Sequence, residues 1–143
     1  MVTAVRRVSA HEAFELVERA GYAYLDVRSR GEYEQAHPAG SHNVPWVVAE
    51  LSGARPNSDF VAAVCARFQR EAHIVVGCQA GVRSVQACAA LRAAGFANIA
   101  DLRPGFGGLR DAFGQLEEPG WQACGLPVSH GPDSHGESGS TGT

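Results

Sequence analysis

Short apolar runs and stretches with helical spacing alternate along the chain. Five apolar, partly β-branched runs predict strands at residues 5–8, 22–27, 42–44, 73–76 and 97–102. Patterns of helical type predict helices that begin after Ser9, near Gly31, after Ser58, at Ser84 and within residues 107–113. Strands that alternate with helices indicate an α/β fold, with a mostly parallel five-stranded sheet flanked by helices.

Local signals mark where two of these helices begin. Ser9 is followed three residues later by Glu12, the pattern of a capping box, and Gly21 is expected to end the helix. Ser58 is expected to cap the helix that precedes the strand at residues 73–76.

The composition fits one domain with a single core. The chain has 143 residues, of which 45% are hydrophobic and only 19% are charged. Residues 129–143 consist mostly of Gly, Ser, His and Thr and contain no large apolar side chain that could be buried in a core. We therefore expect a domain over residues 1–128 and a disordered tail over residues 129–143.

Charge and hydropathy exclude several classes of partner. The net charge of −3 and the pI of about 6.0 leave no basic surface for nucleic acid. No apolar run approaches the ~20 residues needed to span a bilayer, and the first residues lack the apolar centre of a secretory signal. We expect a cytoplasmic protein, or a plastid one if the chain is a processed plant protein. The four cysteines show no CxxC spacing, so reduced thiols are expected.

Cys78 has the setting of a nucleophile. It follows the apolar strand at residues 73–76 and precedes a helix that begins near Arg83. A helix N-terminus and a nearby cation both stabilise a thiolate relative to a thiol. Gly81 allows the loop backbone to turn N–H groups inward towards an anion. Cys65, Cys88 and Cys124 lack this setting, and the first two are interpreted as core residues inside helices.

Several motifs in the right order resemble those of the rhodanese-like sulfurtransferases, especially the small single-domain type found in plants and bacteria. The matching segments are VSAHEAFELV, LDVRSRGEYEQAHPAGSHNVP, IVVGCQAGVRS, DLRPGFGGL and GLPV, which together span about residues 5–128. This resemblance implies a rhodanese-like fold, and it implies the transfer of a sulfane sulfur through a persulfide on Cys78. No metal or organic cofactor is implied.

The resemblance also implies roles for other residues. Asp26 and Arg28 match framework positions, and the guanidinium of Arg83 would bind the anionic head of a donor such as thiosulfate. A thiol, cyanide or a protein would accept the sulfur. The N–H groups that would hold the outer sulfur belong to Gln79, Ala80, Gly81, Val82, Arg83 and Ser84.

Two alternative functions stay open from the sequence. A Cdc25-like phosphatase or arsenate reductase has one more residue between its cysteine and its arginine than the four that separate Cys78 from Arg83. A non-catalytic binding module of the same family often lacks the cysteine, which this chain keeps. Gln79 stands where many sulfurtransferases have an arginine, so the choice of donor also stays open.

Overall fold

Short strands and helices alternate along the chain in the structure, a computed structural model in which residues 5–135 are described. In chain order the elements are β1 (Arg6–Val8), α1 (Ala10–Arg19), β2 (Ala23–Asp26), α2 (Arg30–Gln35), β3 (His37–Pro38), β4 (His42–Asn43), β5 (Val47–Glu50), β6 (Gly53–Pro56), α3 (Phe60–Arg67), β7 (Ile74–Gly77), α4 (Arg83–Ala93), β8 (Ile99–Leu102), β9 (Leu109–Arg110), β10 (Leu116–Glu118) and β11 (Val128–Ser129).

A five-stranded parallel sheet in the order β1-β8-β7-β2-β4 forms the centre of the protein. Strand β7 is the middle strand, and all four of its residues are buried because the sheet is covered on both faces. The predicted α/β fold with a mostly parallel five-stranded sheet is confirmed. Parallel strands present their carboxyl ends at one edge, so the residues that follow β2, β7 and β8 meet there.

Each face of the sheet has its own apolar layer. Helices α3 and α4 cover one face, where Phe60, Leu91 and Ile74 are fully buried. Helix α1 and Trp121 cover the other face, against Val75 and Leu102. Cys88 lies in the first layer as predicted, and burial raises the pKa of its thiol. Cys65 is only partly buried beside that layer, so the interpretation of it as a core residue is too strong.

Of the two helix N-caps predicted from the sequence, that of α1 agrees with the structure and that of α3 does not. Ser9 and Glu12 form the predicted capping box. Ser58 does not cap α3, because Asp59 occupies the N-cap and makes no side-chain cap bond. Asn57 holds this turn instead, since its side-chain oxygen accepts a hydrogen bond from the Asp59 N–H at 3.0 Å. The assignment of the cap to Ser58 is therefore wrong.

The helix expected within residues 107–113 is replaced by an antiparallel hairpin of β9 and β10. The side-chain oxygen Oδ1 of Asp111 accepts hydrogen bonds from the N–H groups of Phe113 and Gln115, at 2.8 and 2.9 Å. Such local side-chain bonds favour a turn over a helix. Gly108 adds a φ of 110°, which a helix does not contain.

The segment after Val128 packs against the domain as far as His135. Strand β11 pairs with β3, which extends order past the predicted boundary of the domain. Asp133 accepts a hydrogen bond from the Asn43 N–H at 2.8 Å and forms an ion pair with Arg67 at 2.7 Å. Residues 129–135, where the sequence predicts a disordered tail, are thus held by strand pairing, by neutral and charged hydrogen bonds and by stacking of the His135 ring on that of His42. Residues 136–143 lie outside the described residues.

Strands β5 and β6 pair as a further antiparallel hairpin. Strand β6 is exposed along its length, so this hairpin adds little to the core. Between residues 5 and 135, none of the helices has the length and apolar character needed to cross a membrane.

Candidate active site

Cys78 lies directly after β7, at the edge where the central strands end. Its side chain is almost completely buried, with 1% of the residue exposed. The backbone N–H of Ser84, in the first turn of α4, donates to Sγ across 3.3 Å, and Oγ of Ser84 lies 3.4 Å from Sγ. The strand therefore sets the sulfur against the N-terminus of an 11-residue helix, as the sequence predicts.

Backbone bonds from the segment after β8 fix the loop over residues 78–84. The N–H of Phe106 donates to the Cys78 carbonyl at 2.7 Å, and the N–H of Gly107 donates to the Gln79 carbonyl at 2.8 Å. Gly81 has a φ of 83° and lies against the Arg103 carbonyl, where no Cβ would fit. The loop is thus bound on one side by a segment more than twenty residues further along the chain.

Arg83, the predicted anion-binding residue, is paired with Glu32 of α2. Nη1 and Nη2 of Arg83 contact the two carboxylate oxygens at 2.8 and 3.1 Å. The hydrogen bond from Arg83 lowers the pKa of Glu32 to about 2, and Glu32 in turn raises the pKa of Arg83. Both side chains stay partly exposed, at 29% and 36%. No pattern in the sequence indicates this partner, because Glu32 lies 51 residues before Arg83.

Asp26 and Arg28 form a buried ion pair below the loop. Nη2 of Arg28 lies 2.8 Å from Asp26 Oδ2, and the two side chains are only 3% and 1% exposed. Burial is the largest single influence and opposes the charge on Arg28, but the hydrogen bond and the charge of Asp26, together with Tyr24 and Glu32, outweigh it and raise the pKa of Arg28. Nη1 of Arg28 also donates to the Gln79 side chain at 3.0 Å. This pair therefore connects β2 with the cysteine loop.

A cleft of about 580 Å³ opens beside the loop. Its lining includes the buried guanidinium of Arg28, the partly exposed carboxylate of Glu32 and the ring of Phe106, which lies under Arg28 with 4.4 Å between guanidinium and ring centroid. His130 reaches the cleft because its Nδ1 lies 2.6 Å from the Gln35 carbonyl. Sequence reasoning missed Glu32, Phe106 and His130, and of these only Glu32 had a signal, since Ser29 and Glu32 form a capping box.

The other loop residues predicted to bind substrate divide into inner and outer positions. Ser84 is fully buried beside Sγ, and Gly81 is also buried. Val82 is 68% exposed and points away from the core. Ala80 and Gln79 lie between these limits, with Gln79 held by Arg28. Of the loop N–H groups expected around the sulfur, that of Ser84 donates to it directly.

Comparison with known proteins agrees with this architecture. A sequence profile described as "Rhodanese-like domain" matches residues 9–112. "Thiosulfate sulfurtransferase 16, chloroplastic" of Arabidopsis thaliana is 41% identical over 87 residues, which are 61% of this chain and 72% of that protein. "Senescence-associated protein DIN1" of Raphanus sativus is 36% identical over 99 residues, which are 69% of this chain and 54% of that protein. The chain thus spans only about half the length of the second relative.

A solved structure shows the same fold. The crystal structure of Rv0390 from M. tuberculosis superposes with a TM-score of 0.72 at 27% sequence identity, and the match covers 90% of this chain and all of that one. The profile covers more than half of the chain, and it includes β2, the cysteine loop and α4. The chain belongs to the rhodanese-like domain family.

Proposed function

We propose that this protein is a sulfurtransferase that carries a sulfane sulfur as a persulfide on Cys78. The observation that carries the proposal is the position of Sγ, 3.3 Å from the Ser84 N–H at the start of α4. A helix N-terminus stabilises negative charge, which is present on both the attacking thiolate and the product persulfide. The name of the Arabidopsis relative supports the same chemistry.

In the proposed reaction the Cys78 thiolate attacks the outer sulfur of a donor such as thiosulfate. The S–S bond of the donor breaks, and sulfite leaves with the electron pair. A thiol, cyanide or a protein thiolate then attacks the outer sulfur of the persulfide and regenerates the Cys78 thiolate. The net reaction moves one sulfur atom and needs no external oxidant, metal or organic cofactor.

The surrounding residues are assigned to positioning roles. Ser84 donates its N–H to Sγ, and Gln79 to Arg83 form the rest of the loop that faces the donor. Asp26 and Arg28 hold the loop through Gln79 and act as framework. Arg83 is the arginine within the loop, but its guanidinium is paired with the Glu32 carboxylate. The cytoplasmic or plastid location of the protein stays a prediction.

Loop length favours sulfur over phosphate chemistry. Four residues separate Cys78 from Arg83, and the arginine side chain pairs with Glu32 across 2.8 Å instead of completing an anion-binding loop. A tetrahedral phosphate needs several donors that converge on its oxygens. Aryl phosphate hydrolysis that depends on Cys78 would contradict the proposed function.

Intact-mass measurement after incubation with thiosulfate tests the proposal directly. The wild-type protein should gain the mass of one sulfur atom, and cyanide should remove it as thiocyanate. Cys78→Ser should show neither result, because a hydroxyl is nearly isosteric with a thiol but forms no persulfide. Cys88→Ala is the matched control, since its thiol lies in the core, and it should retain transfer. Thiocyanate formation by Cys78→Ser would overturn the proposal.

A further inference from the structure

Donors from two distant segments bind the backbone carbonyls of the cysteine loop. The backbone N–H groups that follow β8 bind the carbonyls at the start of the loop. Nη2 of Arg7 donates to the carbonyl of Gly81 in the middle of the loop, at 3.3 Å. Arg7 belongs to β1, which is an edge strand of the sheet. The edge strand is therefore connected to the cysteine loop through one side chain.

The bond from Arg7 determines the direction of the next N–H group in the loop. No cis peptide bond occurs among the described residues, and the C=O and N–H of a trans peptide unit point in opposite directions. The N–H of Val82 therefore points away from the Arg7 guanidinium. By the same geometry, the N–H groups of Gln79 and Ala80 point away from the segment after β8, which binds the carbonyls that precede them.

The N–H groups oriented in this way are available to a ligand. Within residues 5–135, the N–H groups of residues 79–82 donate to no acceptor, whereas the N–H of Ser84 donates to Sγ of Cys78. Successive N–H groups of a turn that point to one side attract a negatively charged atom. A persulfide on Cys78 would place its charged outer sulfur beside this loop, so the direction of each N–H matters for the loaded form.

A buried carboxylate anchors Arg7 in this position. Nε of Arg7 lies 2.6 Å from Oδ2 of Asp101, its neighbour across the parallel pair of β1 and β8. The Asp101 side chain is only 2% exposed, and its Oδ1 has no hydrogen-bond partner among the described residues, so Arg7 is the cation that compensates this buried charge. One planar guanidinium thus binds the carboxylate through Nε and the loop through Nη2.

We propose that Arg7 is a positioning residue for sulfur transfer, which orients the peptide unit between Gly81 and Val82 so that the Val82 N–H can bind the outer sulfur of a Cys78 persulfide. This inference rests on the sulfur transfer proposed above. Arg7 acts through the loop backbone and not on the reacting sulfur. Its loss should therefore weaken the loaded form of the protein more than the unloaded form.

The test uses variants that separate the loop contact from the buried ion pair. Arg7→Lys keeps a positive charge beside Asp101, but its single nitrogen cannot occupy the positions of both Nε and Nη2. Arg7→Met/Asp101→Leu removes the loop contact without leaving a buried charge, because apolar residues of similar size can replace a buried ion pair at little cost in stability. Arg6→Lys is the matched control, since Arg6 is an exposed residue of the same strand.

Two measurements are made on each protein. We expect kcat/KM for thiosulfate, with cyanide as the acceptor, to fall about tenfold in Arg7→Lys and in the double variant, as for the loss of one hydrogen bond to a charged group. It should change less than about twofold in Arg6→Lys. Thermal unfolding of the loaded and unloaded forms, with loading checked by intact mass, should show a higher midpoint for loaded wild type, because only the folded loop holds the outer sulfur. This difference should shrink to about half or less in both Arg7 variants.

The outcomes separate this inference from the proposed function. If wild type gains sulfur but the Arg7 variants keep both its kcat/KM and its midpoint difference, the positioning role is refuted and the sulfurtransferase assignment stands. Equal lowering of the loaded and unloaded midpoints would assign Arg7 to stability alone and refute the role, as would an equal loss of activity in Arg6→Lys. If Arg7→Lys does not fold, the double variant decides by the same two measurements. If wild type gains no sulfur from thiosulfate, the assignment fails and this inference fails with it.

Discussion

Two arginine–carboxylate pairs near Cys78 have similar distances and opposite surroundings. Arg28 and Asp26 are 3% and 1% exposed and lie 2.8 Å apart, whereas Arg83 and Glu32 are 29% and 36% exposed at the same distance. Removing one member of the first pair should strongly destabilise the fold, because burial would leave the other charge without water and without a partner. Solvent screens the second pair, so breaking it should change the stability of the fold little.

Arg28→Ala should have the largest effect on stability. It leaves the Asp26 carboxylate buried and without its guanidinium, and it removes the link to Gln79, so we expect a loss of about 3–5 kcal/mol. Urea unfolding monitored by circular dichroism measures this loss. A loss below about 1 kcal/mol would show that water reaches Asp26 and that the two pairs do not differ as described.

A third arginine–carboxylate pair is intermediate in exposure between these two pairs. Arg67 and Asp133 are 20% and 11% exposed, and Asp133 also accepts from the Asn43 N–H. Asp133→Ala should cost about 1–3 kcal/mol, because a largely buried N–H loses its acceptor. Thermal unfolding should show a lower midpoint, with Asp59→Ala as a control whose side chain makes no cap bond. An unchanged midpoint would show that residues 129–135 contribute nothing to stability.

Arg83→Ala should reduce activity more than it reduces stability. We expect a stability loss under about 1 kcal/mol but a drop of about tenfold in thiosulfate kcat/KM, because the unpaired Glu32 then repels the donor. Steady-state kinetics and urea unfolding measure the two effects on the same protein. The double variant Arg83→Ala/Glu32→Gln should recover part of the lost kcat/KM. Equal kinetics in wild type and Arg83→Ala would remove Arg83 from the donor site.

Lowering the pH should produce the smallest of these effects on the free energy of unfolding. The pKa of Glu32 is lowered from 4.5 to about 2, so the Glu32–Arg83 pair stabilises the fold fully above pH 4.5 and loses this contribution as the pH falls from 4.5 to about 2. Because both side chains are partly exposed, the loss should stay under about 1 kcal/mol. Glu32→Gln should lack this part of the pH dependence when unfolding free energies are compared. An equal slope in both proteins would show that the pair is already screened in wild type.

The features that the sequence predicted correctly are those determined by residues close together in the chain. The Ser9 capping box, the strand before Cys78 and the helix after it each lie within one contiguous segment, where period and end signals determine structure. The turn at Asp111 was also a local signal, but the glycines and leucine before it were interpreted as a helix start. The predicted sheet followed from the alternation of these local elements.

Partner choice between distant segments could not be predicted in this way. Glu32 and Arg83 are 51 residues apart, and Asn43 and Asp133 are 90 apart. No periodic pattern links such positions, because their contact depends on how α2, α4 and the last strand are placed in space. Residues 129–135 carry no apolar pattern, so composition predicted disorder where charged hydrogen bonds and pairing of β11 with β3 produce order.

The attachment of the cysteine loop to the segment after β8 has a consequence for synthesis on the ribosome. Cys78 and Gln79 receive their N–H donors from Phe106 and Gly107, which leave the exit tunnel after the cysteine itself. Until that later segment is in place, the loop around Cys78 lacks two of the backbone hydrogen bonds that hold it. A chain halted before β8 should therefore present Cys78 in an incompletely held loop, and the sulfur transfer proposed for Cys78 should appear only late in folding.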